Sequence, residues 1–300
     1  MLKRLLVLGL ALAMALAVAV PFVGAQDDAM DYTIPEETEV NCGTEEEATV
    51  TIVTGAVGAE QEVTQQAVDF YMEKCSNVTV ELFETPDSAT DRLAFYLQFL
   101  EQESSDIDLY QIDVIWPAIL AEHMVDMSQY ASDDLIDSYF DPIVENNTVD
   151  GELVALPWFT DAGLLYYRTD LLEEYGLEVP QTWDELEAAA ETIQAGVREE
   201  TGNEDFWGFV WQGNSYEGLT CDAIEWQASS SGTTIVSPDG RIQVTDEAWI
   251  ETLEQAAGWV GTISPSGVTS YQEEDARNQW QQGNAAFMRN WPYAFSLGNA

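Results

Sequence analysis

Between Thr49 and Trp116 the sequence changes its hydrophobic period four times, and that alternation limits the fold more than any other feature. "TVTIV" (49–53) is a β-branched run, and "TGAVGA" after it is a turn. Val63, Ala67, Phe70 and Tyr71 then recur at helical spacing. "VTVEL" (78–82) predicts a second strand, Leu93, Leu97 and Leu100 a second helix, and "IDVIW" (112–116) a third strand. Strand-helix-strand-helix-strand is the pattern of a parallel sheet with helices on its faces, so the fold class is α/β.

From Gly151 the pattern changes. "GELVALPWF" predicts a turn and short strand, and "AGLLYYRTDLLEEYG" leads into a helix with Asp170 as N-cap and Gly176 as its stop. Thr182 and Glu185 have capping-box spacing ahead of a helix that puts Leu186, Ala190, Ile193 and Val197 on one face. "FWGFVWQG" predicts an aromatic strand, 219–230 a helix, "GTTIVSPDGRIQV" a hairpin and "DEAWIETLEQAAGWV" a further helix. "GNAAFMRNWPYAF" predicts a buried strand followed by a loop. The domains expected are therefore 49–157 and 158–300.

Two segments precede the first strand. Lys3 and Arg4 before an apolar run to Val20, then Val23-Gly24-Ala25, read as a secretory signal cleaved after Ala25. Residues 26–48 are acidic and aperiodic and predict a disordered leader. The chain stops at Ala300 without a finished-looking element, which leads us to expect a fragment.

Charge excludes some functions. With 55 acidic and 9 basic residues the formal net charge is −46, and Lys74 is the only lysine beyond the signal segment. Disordered chains of such charge lack aromatics, whereas this one has 10 Trp, 12 Tyr and 11 Phe, so it folds with a strongly negative surface. That surface repels nucleic acid and anionic membranes, and fits a high-salt or an acidic habitat. The cysteines are Cys42, Cys75 and Cys221 and the single histidine is His123, without metal-ligand spacing, so no metal or other cofactor is expected. Cys42 precedes the first strand and Cys75 ends the first helix. In a strand-helix unit those ends meet, so a Cys42–Cys75 disulfide is expected, with Cys221 as the odd thiol.

No nucleophile elbow, phosphate loop or dinucleotide fingerprint is present. So many carboxylates make any one acid pair uninformative about glycosidase chemistry. In open parallel sheets ligands bind beyond the C-terminal strand ends. That rule singles out Glu60, Asp113 and Asp161, joined by Trp291 and Tyr293 beside Pro292. Flat aromatic faces with a few carboxylates suit a sugar, whose ring has apolar faces and a rim of hydroxyls.

"ALPWFTDAGLLYYRTDLLEEYG", "TWDELEAAAETIQ", "NEDFWGFVWQGNSYEGLTCD" and "QQGNAAFMRNWPYA" occur in an order that resembles the extracellular solute-binding proteins of ABC sugar importers, closest to the trehalose/maltose-binding branch. The resemblance runs from about Thr49 to Ala300. It implies a two-lobe periplasmic-binding-protein fold of type II, its parallel-sheet lobes joined by a hinge. It also implies a disaccharide or short glucoside in the cleft, no chemistry on the ligand, a monomer, and delivery to an ABC permease from the periplasm or cell exterior. The residues matching the family's sugar contacts are Glu60, Arg92, Asp113, Phe159, Asp161, Trp291 and Tyr293. Phe159 stands where the family usually has Tyr, which removes one hydroxyl from the site. Family members continue past the position of Ala300 and contribute a further Trp and Arg. The alternatives are a binder of another small ligand, such as a polyamine, and a secreted glycosidase.

Overall fold

Alternating β-branched residues make β1 (Ala48–Val53) the centre of the first sheet. The computed structural model describes residues 34, 40–237 and 239–298, so the expected signal segment and the leader up to residue 39 lie outside the described residues, Ile34 apart. α1 (Glu60–Lys74) follows, then β2 (Val78–Phe83), α2 (Ala89–Leu100) and β3 (Leu109–Tyr110). β1 pairs in parallel with β2 along six residues and with β3 through Ile52–Leu109 and Val53–Tyr110. Ser88 caps α2 by accepting from the Asp91 N–H, and Tyr96 and Trp116 pack edge to face in the core beneath it.

The third strand is not where the sequence predicted it. Residues 112–116 form a turn, with Val114 and Ile115 63% and 54% exposed, and Asp113 sits beyond the strand rather than in it. Asp108 is the physical reason. Its Oδ2 accepts from the Thr51 N–H at 2.8 Å and its own N–H donates to the Thr51 oxygen, which sets the pairing three to four residues earlier.

Short helices α3 (Pro117–Leu120), α4 (Asp133–Ile136) and α5 (Asp141–Asn146) lead to an antiparallel pair, β4 (Thr148–Val149) and β5 (Glu152–Leu153). The chain then passes to the second sheet, and the expected boundary at 157/158 falls in this irregular run. β6 (Leu164–Tyr167), α6 (Thr169–Glu174), α7 (Trp183–Thr201), β7 (Trp207–Val210), α8 (Glu217–Ser231), α9 (Glu247–Trp259), α10 (Glu273–Gln281), β8 (Ala285–Asn290) and α11 (Tyr293–Gly298) complete the order.

In this sheet β8 is central, antiparallel to β6 and parallel to β7. The first lobe is parallel and the second is mixed, which refines the expectation of parallel-sheet lobes. All six residues of β8 are buried, as a strand covered on both faces must be. Trp226, Trp259 and Phe209 pack edge to face against α7, so much of the aromatic wealth of the sequence is core.

Local corrections follow the same logic. Asp170 lies in the first turn of α6 and binds the Arg168 guanidinium, while Arg168 holds the N-cap position. Thr182 caps α7 as expected, but Glu185 reaches back to the Gln181 N–H instead of that of Thr182, so the box is half closed. Among the described residues, the hairpin expected over 232–244 is reduced to one antiparallel bridge, Val236–Ile242. The loop expected after β8 becomes α11 from Tyr293 onward.

Cys42 and Cys75 are disulfide-bonded. The bond fastens the last part of the expected leader to the end of α1, and Asn77 Nδ2 donates to the oxygens of Thr44 and Glu46 beside it. Among the described residues no helix is long and apolar enough to cross a membrane.

Candidate functional site: the crevice between the lobes

The turn after β1 carries the first group. Gly55 passes against the Glu60 carboxylate so closely that any Cβ there would overlap it. Gln111, on the segment after β3, accepts from the Gly55 N–H at 3.0 Å and donates to Glu60 Oε1. Glu60 is thus fixed at the N-terminus of α1, where the helix dipole favours a negative charge.

Arg92 on α2 is only 7% exposed, and its guanidinium lies over Trp116 at 5.6 Å. Its Nε and Nη1 find no protein partner among the described residues. Buried donors left unpaired cost about 1–3 kcal/mol each, so they call for an acceptor supplied from outside. Asp113 is near enough to feel Arg92. Burial pushes its carboxyl above the usual range, against the pull of Arg92 and of the Ile115 N–H.

The second lobe faces these groups. Desolvation raises the Asp161 carboxyl, the Glu60 charge raises it further and Arg289 opposes both, which places Asp161 within electrostatic reach of the first lobe. Glu217 opens α8, and its N–H donates to Thr90 Oγ1 across the crevice at 3.3 Å. Burial raises its carboxyl, Cys221 Sγ donates to it at 2.6 Å and lowers it, and Asp113 and Glu273 raise it again.

Trp291 leaves the end of β8 half-buried. Two donated bonds set its direction: the backbone N–H donates to Asn290 Oδ1 at 2.8 Å, and the indole Nε1–H donates to Glu273 Oε1 at 3.3 Å. Arg289 lies 3.7 Å from the centre of its ring.

Charge and ring contacts thus link these groups between the lobes: Asp113 with Arg92, Asp161 with Glu60 and Arg289, and Arg289 with Trp291. Two expected residues are placed differently. Phe159 is 57% exposed, on the run joining the lobes. Tyr293 packs its ring against Gly58 and donates its hydroxyl to Glu274 at 2.7 Å, so it is a lobe-to-lobe contact rather than an open platform. Sequence reasoning did not assign a role to Gln111, Glu217, Glu273 or Arg289. Glu217 and Arg289 lie inside the stretches that carry the resemblance, but each of the four enters through a contact between distant segments.

A cavity of about 310 Å³ opens beside the crevice, between Ala56–Gly58 and the start of α10 at Glu273. A depression of about 360 Å³ on the outer surface of α7, near Pro180 and Ala188, involves none of these groups. Among the described residues no cluster of His, Cys, Asp and Glu could hold a metal ion.

The description "Bacterial extracellular solute-binding protein" fits residues 54–299. A "Probable ABC transporter-binding protein" of Deinococcus radiodurans is 47% identical over 251 residues, covering 83% of this chain and 59% of that protein. The solved structure "Maltose bound T. maritima MalE3" matches with a TM-score of 0.77 at 39% identity, over 84% of this chain and 63% of that one. An Agrobacterium vitis solute-binding protein "with bound D-mannitol" matches at 20% identity with a TM-score of 0.65, over 82% of this chain and 58% of that one, and shows the fold alone. The chain thus spans about six-tenths of the length of these relatives.

Proposed function

The chain belongs to the bacterial extracellular solute-binding proteins, with their two-lobe α/β fold of type II, and from that premise we propose that it is the sugar-binding component of an ABC importer. Its ligand is a disaccharide or short glucoside of the maltose/trehalose type. It works as a monomer in the periplasm or outside the cell and hands its ligand to a membrane permease.

One observation carries the reading. Arg92 holds unpaired buried donors on one side of a crevice whose other side offers Trp291 and carboxylates. A sugar hydroxyl is both acceptor and donor, so it can satisfy Arg92 and Asp113 together, while the ring's C–H face lies on the indole. Charge-assisted bonds of this kind contribute about 1.5–3 kcal/mol each. A ligand lacking the hydroxyl leaves buried polar groups unpaired and is rejected.

Transport needs a signal that the site is filled. A ligand touching both lobes prefers the closed arrangement and shifts the population toward it by no more than that preference. No group activated for chemistry is required, and the role is binding.

The excess of carboxylates favours a second reading, a cationic ligand such as a polyamine. Calorimetric titration of the mature protein with trehalose, maltose, sucrose and spermidine, at low and at molar NaCl, separates the two. Binding of one disaccharide without turnover supports the importer reading. Heat with spermidine alone overturns it.

A further inference from the structure

Arg289 is out of place by composition. It sits in the central strand β8 between Met288 and Asn290 and is 2% exposed, where strands of this kind carry apolar residues. Its charge is answered by a built network. Nε donates to Glu225 Oε2 at 2.9 Å and Nη2 to Glu225 Oε1, while Nη1 donates to Gln212 Oε1 at 3.1 Å. Asp222, fully buried, places Oδ1 2.9 Å from Nε and accepts the Gln212 N–H on Oδ2. Gln212 returns a bond to the Arg289 carbonyl at 3.0 Å. Gly163 allows the Glu225 carboxylate to fit, since any Cβ there would overlap it.

A buried ion network is poor value as stability alone, because apolar residues of similar volume commonly do as well or better. What it achieves here is a guanidinium held flat against one target. Arg289 Cζ lies 3.7 Å from the centre of the Trp291 ring, within the range of a cation–π contact. An indole has two faces. With Arg289 against one and Glu273 on the Nε1–H edge, only the opposite face can be offered to a ligand, and it is offered in one orientation.

We propose that Arg289 is a positioning residue: it fixes the plane of Trp291 for stacking on the ligand and acts on the ligand only through that ring. Asp222, Glu225 and Gln212 act one step further back, by fixing Arg289. This rests on the reading of Trp291 as a ligand contact given above. An arginine is required in place of a lysine, since only a planar fork can bind Glu225 in bidentate fashion and still present a flat face.

The test is a double-mutant cycle on the full mature protein, with maltose and trehalose as probes. Arg289→Lys is expected to weaken binding about tenfold in the wild-type background and less than twofold in a Trp291→Ala background. Equal losses in the two backgrounds, or an unchanged affinity with a lowered melting temperature, would mean that Arg289 is structural only, and would overturn the proposal.

A second readout needs no sugar, so the proposal is tested even if neither sugar binds and the functional reading fails. In 5-fluorotryptophan-labelled protein, the Trp291 fluorine resonance is assigned by its loss in Trp291→Phe. Arg289→Lys is expected to shift and broaden that resonance while those of Trp226 and Trp259 stay in place. If Arg289→Lys does not fold, Glu225→Gln, which keeps the arginine and loosens its fork, is expected to broaden the same resonance. A Trp291 line unmoved in the variant that folds overturns the proposal.

Discussion

Gly58 and Tyr293 meet across the crevice: any Cβ on Gly58 would overlap Tyr293 Cδ2 and come within 2.9 Å of Cε2. Gly58 also has φ +61°, in the left-handed region that costs other residues about 1–2 kcal/mol. Two unrelated demands, one on the backbone and one on space, thus fall on one glycine at the point where the lobes touch.

Gly58→Ala is therefore expected to hold the lobes apart and weaken sugar binding at least tenfold. Gly176 supplies the control, since it has φ +65° with nothing within 4 Å of the missing Cβ. Gly176→Ala should lower the melting temperature by a similar backbone cost and leave affinity alone. Small-angle scattering with ligand should show a larger radius of gyration for Gly58→Ala only. An equal affinity in the two variants would remove the clash from the argument.

Trp291→Ala should cost on the order of 2 kcal/mol of binding, about thirtyfold in Kd, as loss of a central aromatic anchor does elsewhere. No single exposed carboxylate should cost as much. Calorimetry of Trp291→Ala beside Glu254→Gln, which removes a charge from the outer face of α9, makes the comparison.

The first two strands and the long helices were legible because period is a local property: Val50 and Ile52, or Leu186, Ala190 and Ile193, announce their elements without help from the rest of the chain. The Cys42–Cys75 bond was legible for the same reason, since a strand-helix unit brings its own ends together. Asp113 was assigned to the wrong kind of backbone because "IDVIW" has a strand's composition, while the pairing is set by Asp108 on Thr51, a contact between distant segments. Of the candidate residues, Glu60, Asp113, Asp161 and Trp291 were singled out by their place beyond strand ends and by their chemistry, and Arg92 by resemblance to a family pattern. What fixes them was not legible: Gln111 on Glu60 and Glu225 on Arg289 join residues 51 and 64 positions apart, and no spacing rule reaches that far.

The disulfide closes a loop with a sequence separation of 33. By loop entropy it should contribute roughly 3–4 kcal/mol. Cys42→Ser with Cys75→Ser is expected to lower the denaturation midpoint accordingly, and a reducing agent should do the same to the wild type. Sugar affinity at 25 °C should be unchanged, because the bond lies at the far end of α1 from Glu60. A fall in affinity would show that it orders the crevice.

Acidity should favour the folded, closed arrangement. Asp113, Asp161 and Glu217 all have carboxyls raised by desolvation, so the folded state holds their protons more tightly than the unfolded chain does. Their favourable contribution is complete below the unfolded value of about 4 and is lost as pH rises through the folded values. The melting temperature should accordingly rise as pH is lowered from 7.5 toward 4, through the folded values of these groups. Glu217→Gln should flatten that slope and raise the melting temperature at pH 7.5. General relief of the −46 charge acts in the same direction, so Glu254→Gln is the reference. If the two variants shift the curve alike, the crevice carboxylates are not responsible.

Arg92 should be a place where stability and binding oppose each other. The unliganded protein bears a buried guanidinium with two nitrogens unpaired among the described residues, near the Asp113 carboxylate. Methionine keeps an apolar stem of similar length beside Trp116 and removes the unpaired donors. Replacing a poorly satisfied buried charge by an apolar group of similar shape is commonly neutral or stabilising. Arg92→Met is thus expected to keep or raise the melting temperature without ligand, and to lower sugar affinity at least tenfold by deleting the donors a hydroxyl would meet. Melting curves with and without maltose and trehalose measure both effects at once, since a bound ligand raises the melting temperature with the logarithm of its concentration over Kd. A destabilised variant that still binds would place Arg92 in the framework of α2, and the acceptor for its free nitrogens would then have to come from within the protein.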